Sequence, residues 1–400
     1  MKKRLKLLHV TPAYLPAYRY GGPIYSVHGL CRSLVRLGHE CHVYTTNADG
    51  KKDLNVAIKK PVLMDGVRIT YFRSSFLRKI FYAPNMRKTL KSTMENYNLI
   101  HLHSPYVWPT WMAARMAFKA KKPYVMTTRG MLVRDLVHKK SRWAKSVWIS
   151  LIERRNLERA ALVHFTTQSE EAQVRQFGFS LKKTVVLGHG IDEAPTQGLT
   201  PESPRENIIS FLNGAPFLLY VGRISWEKGL NRLIEAMAYV KDIPLLFVGN
   251  GDAEYLKTLK DIAQKNGVSN QLIFAGPYYG SVKYDLYRKA KMFVLPSFYE
   301  NFGNVVLEAM MQGCPVVVTP GVGLADFVRQ NGAGLVAEDS AQGLAKAINQ
   351  LLGNPDLCKE IKTMGPKAVR EKFTWDKIAE CMADCYEQII DGASNGKDRF

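Results

Sequence analysis

Carboxylates are scarce in the first half of this chain. Residues 1–200 hold 34 Lys and Arg against 12 Asp and Glu, and residues 51–150 hold 21 against 4. Residues 201–400 hold 22 against 23, so the halves carry +22 and −1, which sum to the net +21 of the 400-residue chain. Long apolar runs are also missing: no stretch reaches the roughly eighteen uninterrupted apolar residues that suggest a membrane span. The N-terminus MKKRLKLLHV is basic, but Lys6 and His9 break its apolar run and no small-residue cleavage site precedes Pro12 or Pro16. A signal peptide is therefore not expected. The six cysteines form no Cys-x-x-Cys pair, so buried free thiols in a reducing cytosol fit them better than disulfides or zinc. Solenoid-period repeats and low-complexity tracts are absent. The composition, 46% hydrophobic and 23% charged, is that of a globular protein and excludes disordered or fibrous architectures.

What is present is alternation. An apolar run at Leu5–Val10 leads through a Gly/Pro-bearing loop (Thr11–Pro23) to helical spacing at Ile24–Leu37, then to a strand pattern at His42–Thr45. Similar strand–helix units recur to Val185–Leu187, which predicts a parallel α/β sheet. Residues 192–216 are rich in Pro, Gly, Ser and Glu and lack an apolar period, as a boundary segment does. Alternation restarts at Phe217–Val221 and runs to Pro315–Val318, with helical patterning again at Lys377–Ile390. The expected organisation is α/β, with two Rossmann-like doubly wound domains facing across a cleft. The expected bounds are a basic N-terminal domain at 1–195, a linker at 196–215, a second domain at 216–375 and a C-terminal helix and tail at 376–400.

In such sheets, ligands gather at the C-terminal ends of strands and at the helix N-termini that follow. Residues 296–313, PSFYENFGNVVLEAMMQG, occupy such a place. Backbone N–H groups of Gly303, Asn304 and Val305 at a helix start could receive phosphate oxygens, and Glu300 and Glu308 could accept hydrogen bonds from sugar or ribose hydroxyls. The alternative is a solvated loop carboxylate and a helix-surface one. VGRISWEKG at Val221–Gly229 also follows a strand. Gly222 permits a tight turn there, and Arg223 and Lys228 could clamp a diphosphate, one as a fork and one as a point charge; two solvated surface cations are the alternative.

The first half offers weaker signals. Gly21-Gly22-Pro23 lies between strand and helix, where backbone can approach a ligand closely. His101 and His103 flank Leu102 and share one side of a strand. They could form a metal pair, but no third ligand is evident, and a satisfied structural role suits His101. Arg129, in Thr127-Thr128-Arg129-Gly130, ends another strand and could reach the cleft. Gly249-Asn250-Gly251 and Gly321-Val322-Gly323 lack the third glycine of a dinucleotide fingerprint, which leaves a nicotinamide dehydrogenase poorly supported.

Taken together, these motifs resemble the GT-B glycosyltransferases of family 4, also called group 1, of the bacterial-polysaccharide type. The Glu-x7-Glu signature stands as Glu300 and Glu308, VGRISWEKG resembles the phosphate-binding Arg/Lys motif, GGP the acceptor-side glycine loop, and HLHSP the first-domain histidine motif. The resemblance implies a retaining hexosyltransferase that uses a UDP- or GDP-linked sugar. Glu300 would hold sugar hydroxyls and Glu308 the ribose, while Arg223 and Lys228 would hold the diphosphate beside Gly222. Gly22 would let backbone approach the phosphates, and Asn301, Phe302, Gly303 and Asn304 would line the pocket through their amides. His103 would be the first-domain histidine of the catalytic site, and Gly21 and Arg129 would face the acceptor. It further implies same-face attack with the leaving phosphate as base, and a C-terminal helix that returns to the first domain. No metal or other cofactor is implied, since two cations stand where a metal would, and no Asp-x-Asp occurs. Two departures stand out. The chain reads Thr128-Arg129-Gly130 where family members often carry His, and His189-Gly190 where Asn-Gly is common.

The basic charge falls on the acceptor side. Arg73–Lys91 and Arg134–Arg155 combine cations with apolar residues at helical spacing: Phe76, Leu77, Ile80 and Phe81, then Trp143, Val147, Trp148 and Leu151. Either these insert shallowly into an anionic leaflet, or they pack in the core beneath a solvated charged face. The first option gives a cytoplasmic enzyme, peripheral at the inner membrane face, with a lipid-linked or polysaccharide-precursor acceptor. A sugar-nucleotide epimerase or hydrolase on the same fold is the alternative enzyme. A nucleic-acid-binding protein would explain the charge but not Glu300 and Glu308, and no helix-turn-helix, RRM or KH signature appears. Tyr278 and Tyr279 could stack on the donor's base.

Overall fold

A computed structural model describes residues 3–74, 76–132, 147–193, 208, 210–211, 213–240 and 242–395, the last three as backbone only. The chain divides into two compact units, Met1–Gly190 with Trp375–Phe400, and Ile191–Thr374. The divisions thus fall a few residues before the expected 195 and one before 376. Most of the expected linker 196–215 lies outside the described residues, but Ile208 and Phe211 within it are buried in the core of the second unit.

The strands of the first unit are β1 (Lys6–Val10), β2 (Glu40–Thr46), β5 (Pro61–Met64), β6 (Val67–Phe72), β7 (Leu99–His103), β8 (Tyr124–Thr127), β9 (Leu162–Phe165) and β10 (Thr184–Val186), with a small separate hairpin of β3 (Ala48–Asp49) and β4 (Lys52–Asp53). The eight-stranded sheet runs β10-β9-β8-β7-β1-β2-β6-β5, and each pairing is parallel except β5 with β6. Succession reverses at β1/β7, where the chain goes first to one side of β1 and then to the other. β7 and β8 are buried throughout, as expected of parallel strands covered on both faces. Around them lie α1 (Gly22–Arg36), α2 (Pro84–Thr93), α3 (Trp108–Lys119), α4 (Arg154–Arg159, after a π-helical turn at Ile149–Glu153) and α5 (Gln168–Arg175).

The second unit holds β11 (Leu218–Val221), β12 (Leu245–Val248), β13 (Leu272–Gly276), β14 (Met292–Leu295), β15 (Val316–Val318) and β16 (Gly334–Val336). They form one sheet in the order β13-β12-β11-β14-β15-β16, all parallel. By succession this is 3-2-1-4-5-6, the Rossmann order, whose switch point lies between β11 and β14. The helices are α6 (Leu230–Met237), α7 (Ala253–Lys265), α8 (Gly280–Lys289), α9 (Asn304–Met311), α10 (Ala325–Gln330), α11 (Ala341–Leu352) and α12 (Pro355–Lys372). Elements from Ala325 to Lys372 went unread in the sequence, where alternation was traced only to Val318.

The last helix, α13 (Trp375–Asn395), belongs to the first unit. Its Ile378, Ala379, Met382, Ala383 and Tyr386 are buried, the spacing of one helical face. Trp375 lies so close to Gly29 of α1 that a Cβ there would come within 2.2 Å of the indole, and Arg36 pairs with Asp376 at 2.6 Å. Cys381, on the same helix, is exposed, and Cys358 and Cys385 are half-buried; the expectation of buried thiols holds fully only for Cys31, Cys41 and Cys314. No helix among the described residues is long and apolar enough to cross a membrane.

Candidate active site

In the second unit, the loops after β11 and β14 are laced together. Phe298 and Tyr299 donate backbone N–H bonds to Glu227 O (3.0 and 3.4 Å), and Arg232 donates to Pro296 O at 2.7 Å while its guanidinium lies 3.9 Å from the Phe298 ring centroid. Gly229 makes this approach possible: it has φ +63°, and any Cβ would collide with Pro296 O at 2.1 Å. The lacing brings Lys228 Nζ within 2.6 Å of Glu300 Oε2, with both side chains mostly buried. Glu300 is fixed from behind, its N–H donating to Gly321 O (2.9 Å) and its carbonyl accepting from Gly323 N–H (2.8 Å). The Gly321–Gly323 segment, unassigned by sequence, therefore serves to hold Glu300.

Glu308, on α9, receives Lys283 Nζ at 2.9 Å and the Tyr287 hydroxyl at 3.0 Å. It is neither a solvated surface carboxylate nor a bare one, and no sequence motif marked its two partners. Gly303 (φ +93°) stands at the N-cap of α9 without a side-chain cap, followed by Asn304 and the half-buried Val305. Gly222 (φ +153°) follows β11, and Arg223 is exposed, 3.5 Å from Glu227. Asn301 Oδ1 accepts a long bond from the Tyr299 hydroxyl at 3.4 Å. The Phe302 ring is buried against Phe373, 5.8 Å between centroids, which leaves its backbone amide, the group expected to line the pocket. One expectation needs correcting. Tyr278 is buried in the core, so of the two candidate stacking rings only Tyr279 is exposed.

In the first unit, the strand ends on the β7 side of the switch point carry unusual backbone. Ser104 (φ +75°), Tyr106 (φ +64°) and Arg129 (φ +52°) are left-handed, a conformation costing non-glycine residues about 1 kcal/mol or more and concentrated at functional sites. Gly21, not Gly22, takes the positive φ (+63°) in the glycine loop; Gly22 opens α1.

His101 and His103 point into a buried polar cluster that includes a third ring, His9, missed in the sequence reading. The three imidazoles are buried, with one nitrogen from each within 4.8 Å of the others. His9 is the register partner of His101 across β1/β7, a signal that needed the strand pairing to be seen. Burial drives all three toward the neutral form, His9 down to about 3 and His101 and His103 well below the usual range, reinforced by one another and by the Arg129 cation.

Neutral rings have one donor and one acceptor nitrogen, so their partners fix the tautomers. Arg129 donates to His103 Nδ1 at 3.2 Å; His103 then carries its proton on Nε2 and donates to His9 Nδ1 at 3.0 Å. His9 is left with a buried Nε2–H that has no acceptor among the described residues. A second chain starts at Leu187 O, which accepts from His164 Nε2–H at 2.7 Å. His164 Nδ1 accepts from the Thr127 hydroxyl (2.9 Å), Thr127 accepts from His101 Nε2–H (2.6 Å), and His101 Nδ1 accepts from the Tyr386 hydroxyl (2.6 Å). His101 is thus the satisfied structural histidine anticipated, tied to α13. The trio fits a metal poorly: the acceptor nitrogens of all three rings already receive protein donors, and a guanidinium lies alongside. For the same reason His103 has no lone pair left to take a substrate proton.

Of the basic apolar segments, Phe76, Leu77, Val147 and Leu151 are exposed, whereas Ile80, Phe81 and Trp148 are half-buried. Trp148 donates to buried Glu153 at 2.8 Å and packs on Trp111. Residues 133–146, with Trp143, lie outside the described residues. Nearby, a groove of about 440 Å³ is lined by Trp111, Phe118 and Leu151 together with Arg115, Lys119 and Arg155, and by no acidic residue among the described residues.

Residues 20–194 match the model of Glycosyltransferase Family 4, and residues 205–368 that of Glycosyl transferases group 1. The chain belongs to the group 1 glycosyltransferases. This glycosyltransferase is 28% identical to an uncharacterised glycosyltransferase of Methanocaldococcus jannaschii over 96% of its own length and 98% of the relative's. It is 24% identical to the O-antigen chain mannosyltransferase C of Escherichia coli over 98% and 100%. Among solved structures, HepE of Anabaena in complex with UDP-glucose superposes with a TM-score of 0.71 at 22% identity, covering 96% of this chain and 100% of that one. That likeness shows a common fold, the GT-B type with two Rossmann-like units.

Proposed function

We propose that this glycosyltransferase moves a hexose-type sugar from a UDP- or GDP-linked donor to a lipid-linked or polysaccharide-precursor acceptor, with retention of configuration. The observation that carries the reading is the Lys228–Glu300 pair beside the β11/β14 switch point, where an open α/β sheet binds its ligand. An ammonium has three N–H donors; Lys228 spends one on Glu300 and can offer two to phosphate oxygens. Glu300 receives Lys228 on Oε2, which leaves Oε1 for a sugar hydroxyl. Glu308, oriented by Lys283 and Tyr287, suits a ribose hydroxyl pair, and the N-terminus of α9 a phosphate.

In the proposed reaction the bond from the anomeric carbon to the donor phosphate breaks while the acceptor oxygen bonds to that carbon on the same face. The acceptor proton passes to the departing phosphate oxygen. Lys228 and Arg223 stabilise the charge gathering on the diphosphate, the kind of electrostatic term that often dominates catalysis, and no metal is needed in this scheme. His103 acts by position, holding Arg129 rather than moving a proton. The full-length match to an O-antigen mannosyltransferase supports a polysaccharide-type acceptor. The exposed Phe76, Leu77, Val147 and Leu151 among cations support work at the inner, anionic membrane face.

A thermal-shift panel of UDP-, GDP- and ADP-sugars tests the donor site, since a ligand that binds only the folded state raises the melting temperature. One donor should shift the wild type, with the shift reduced in Lys228→Ala and Glu308→Ala. If no nucleotide sugar shifts the wild type, the donor-site reading is wrong. Product analysis separates the alternatives: an epimerase returns an isomerised donor and a hydrolase consumes donor alone, whereas a transferase consumes it only with acceptor present.

A further inference from the structure

About 440 Å³ of space lies between α3 and α4 of the first unit, and no residue lining it takes part in the proposed reaction. Its two walls share one charge pattern. Arg115 and Lys119 stand one turn apart on α3, Arg155 and Arg159 one turn apart on α4, and all four line the groove. Lys119 and Arg159 close their helices with the sign the helix dipole favours, but Arg115 and Arg155, one turn earlier, repel them. All four are exposed, and among the described residues none makes an ion pair. The carboxylates of this stretch are engaged elsewhere. Buried Glu153 accepts from Tyr106 N–H, Trp148 and Asn156, and Glu158 pairs with Arg154 at 3.3 Å. The adjoining sequence supplies little countercharge: residues 133–146 hold one carboxylate, Asp135, against five Lys and Arg.

Between these cations the lining is apolar. Trp111, Ala114 and Phe118 follow helical spacing along α3, and Leu151 and Ile152 line the other wall. Tyr124, buried at the start of β8, donates its hydroxyl to Asn156 O at 2.5 Å and ties β8 to α4. Phe118 is 48% and Leu151 55% exposed, and apolar side chains left open in a concave, polar-rimmed place mark an interaction site. The Arg159 guanidinium lies 4.0 Å from the Phe118 ring centroid. Its flat face covers the ring while its in-plane N–H donors stay free for an oxyanion. Position narrows the occupant. α3 leads into β8 and α4 into β9, and these strands are parallel, so both helices run against them. Phe118, Lys119 and Arg159 therefore lie toward the edge where the strands begin, whereas reacting ligands gather where strands end. The groove suits a molecule that is held without reacting.

We infer that the α3/α4 groove is a discrete site for one anionic membrane phospholipid, its phosphate held by cations of both walls and an acyl chain lying along Trp111, Phe118 and Leu151. The inference rests on the membrane-face part of the proposed function, which gives the occupant its source, and not on the donor site. It differs from the diffuse attraction of a basic domain to an anionic leaflet in requiring saturation, and headgroup charge and chain together.

Calorimetric titration of the full-length protein with dihexanoyl phosphatidylglycerol, kept below its micellar concentration, tests the site. One saturable site is expected, with dihexanoyl phosphatidylcholine and inorganic phosphate each at least tenfold weaker. Arg155→Gln with Arg159→Gln should lower affinity at least tenfold and Leu151→Ser severalfold; all three side chains are exposed, so the fold is spared. Arg87→Gln with Lys88→Gln, which removes two exposed cations of α2 outside the groove, should leave affinity unchanged. An equal loss in that α2 variant, phosphate binding as tightly as the lipid, or no saturable binding of phosphatidylglycerol overturns the site. Geranyl phosphate binding at least tenfold more tightly than phosphatidylglycerol would assign the groove to a prenyl-phosphate acceptor instead and overturn the membrane-lipid occupant. Sedimentation with vesicles of phosphatidylglycerol and phosphatidylcholine in equal parts separates the two readings. Vesicle binding without binding of the monomeric lipid overturns the groove and leaves the membrane face standing; binding of neither removes both.

Discussion

Lys228 and Glu300, 72 residues apart in sequence, meet at 2.6 Å because β11 and β14 are neighbours in the sheet. Each residue follows one of the two strands that flank the switch point, and neither loop could place its side chain without the other. Replacing either should therefore remove both a ligand contact and its partner's alignment. Lys228→Ala and Glu300→Gln are each expected to lower kcat/KM by two orders of magnitude or more, the scale of losing a preorganised electrostatic contact. The double variant should lose markedly less than the product of the two, as residues acting as a unit do. Steady-state kinetics on the four proteins checks this; fully multiplicative losses would mean that the pair is not a unit.

Glu308 differs in that its partners come from α8, Lys283 and Tyr287. Glu308→Gln should raise the KM for the donor more than it lowers kcat, because a ribose contact is shared by ground and transition states. Lys283→Ala should do the same more weakly. An equal fall in kcat and kcat/KM, with KM unchanged, would assign Glu308 a role in the chemistry instead.

The imidazoles set the acid limit of the first unit. His9, His101, His103 and His164 all have folded values below the ordinary 6.5, His9 near 3 and His164 near 4, chiefly through burial. Below pH 6.5 the unfolded chain takes up protons that the folded chain refuses, so stability is full above that pH and falls as pH drops toward the folded values. Each ring contributes up to about 1.4 kcal/mol per pH unit in that window. Urea unfolding between pH 7.5 and 5 should show a steep loss; a flat profile would mean that the rings are protonated in the fold.

Tyr386 fastens α13 through a single hydroxyl to His101. Tyr386→Phe leaves the His101 Nδ1 lone pair buried and unpaired, at a cost of about 1–3 kcal/mol. Hydrogen exchange should localise the loosening to α13 and the Thr127–His164 chain, with donor binding by the second unit unaffected. Uniform loosening of both units would argue against so local a role.

Membrane contact, if it follows the exposed apolar side chains, should depend on Phe76 and Leu77. Phe76→Ser with Leu77→Ser should weaken sedimentation with anionic vesicles while leaving the fold intact, since both are more than half exposed. Wild-type binding should fall as salt rises, because charges across a solvated surface are screened. No binding to anionic vesicles at low salt would remove the membrane from the proposal.

By itself the sequence determined the alternating α/β class, the second unit's strands from Phe217 to Val318, and the motif residues Arg223, Lys228, Glu300 and Glu308. These are legible because strands buried on both faces read as short apolar runs, and glycine- and charge-bearing loops punctuate them. It could not give what depends on which strands are neighbours. His9 became part of the histidine cluster only through β1/β7 pairing, and Gly321–Gly323 became the support of Glu300 only through the parallel bridge between Glu300 and Val322. Tyr278 looked like a pocket residue because position, not packing, is what a motif records; the core claimed its ring. Arg129 shows the divide most clearly. Its strand-end position was visible in the sequence, but the donor tautomers it imposes on His103 and His9 arise from a hydrogen-bond network that only the folded sheet assembles.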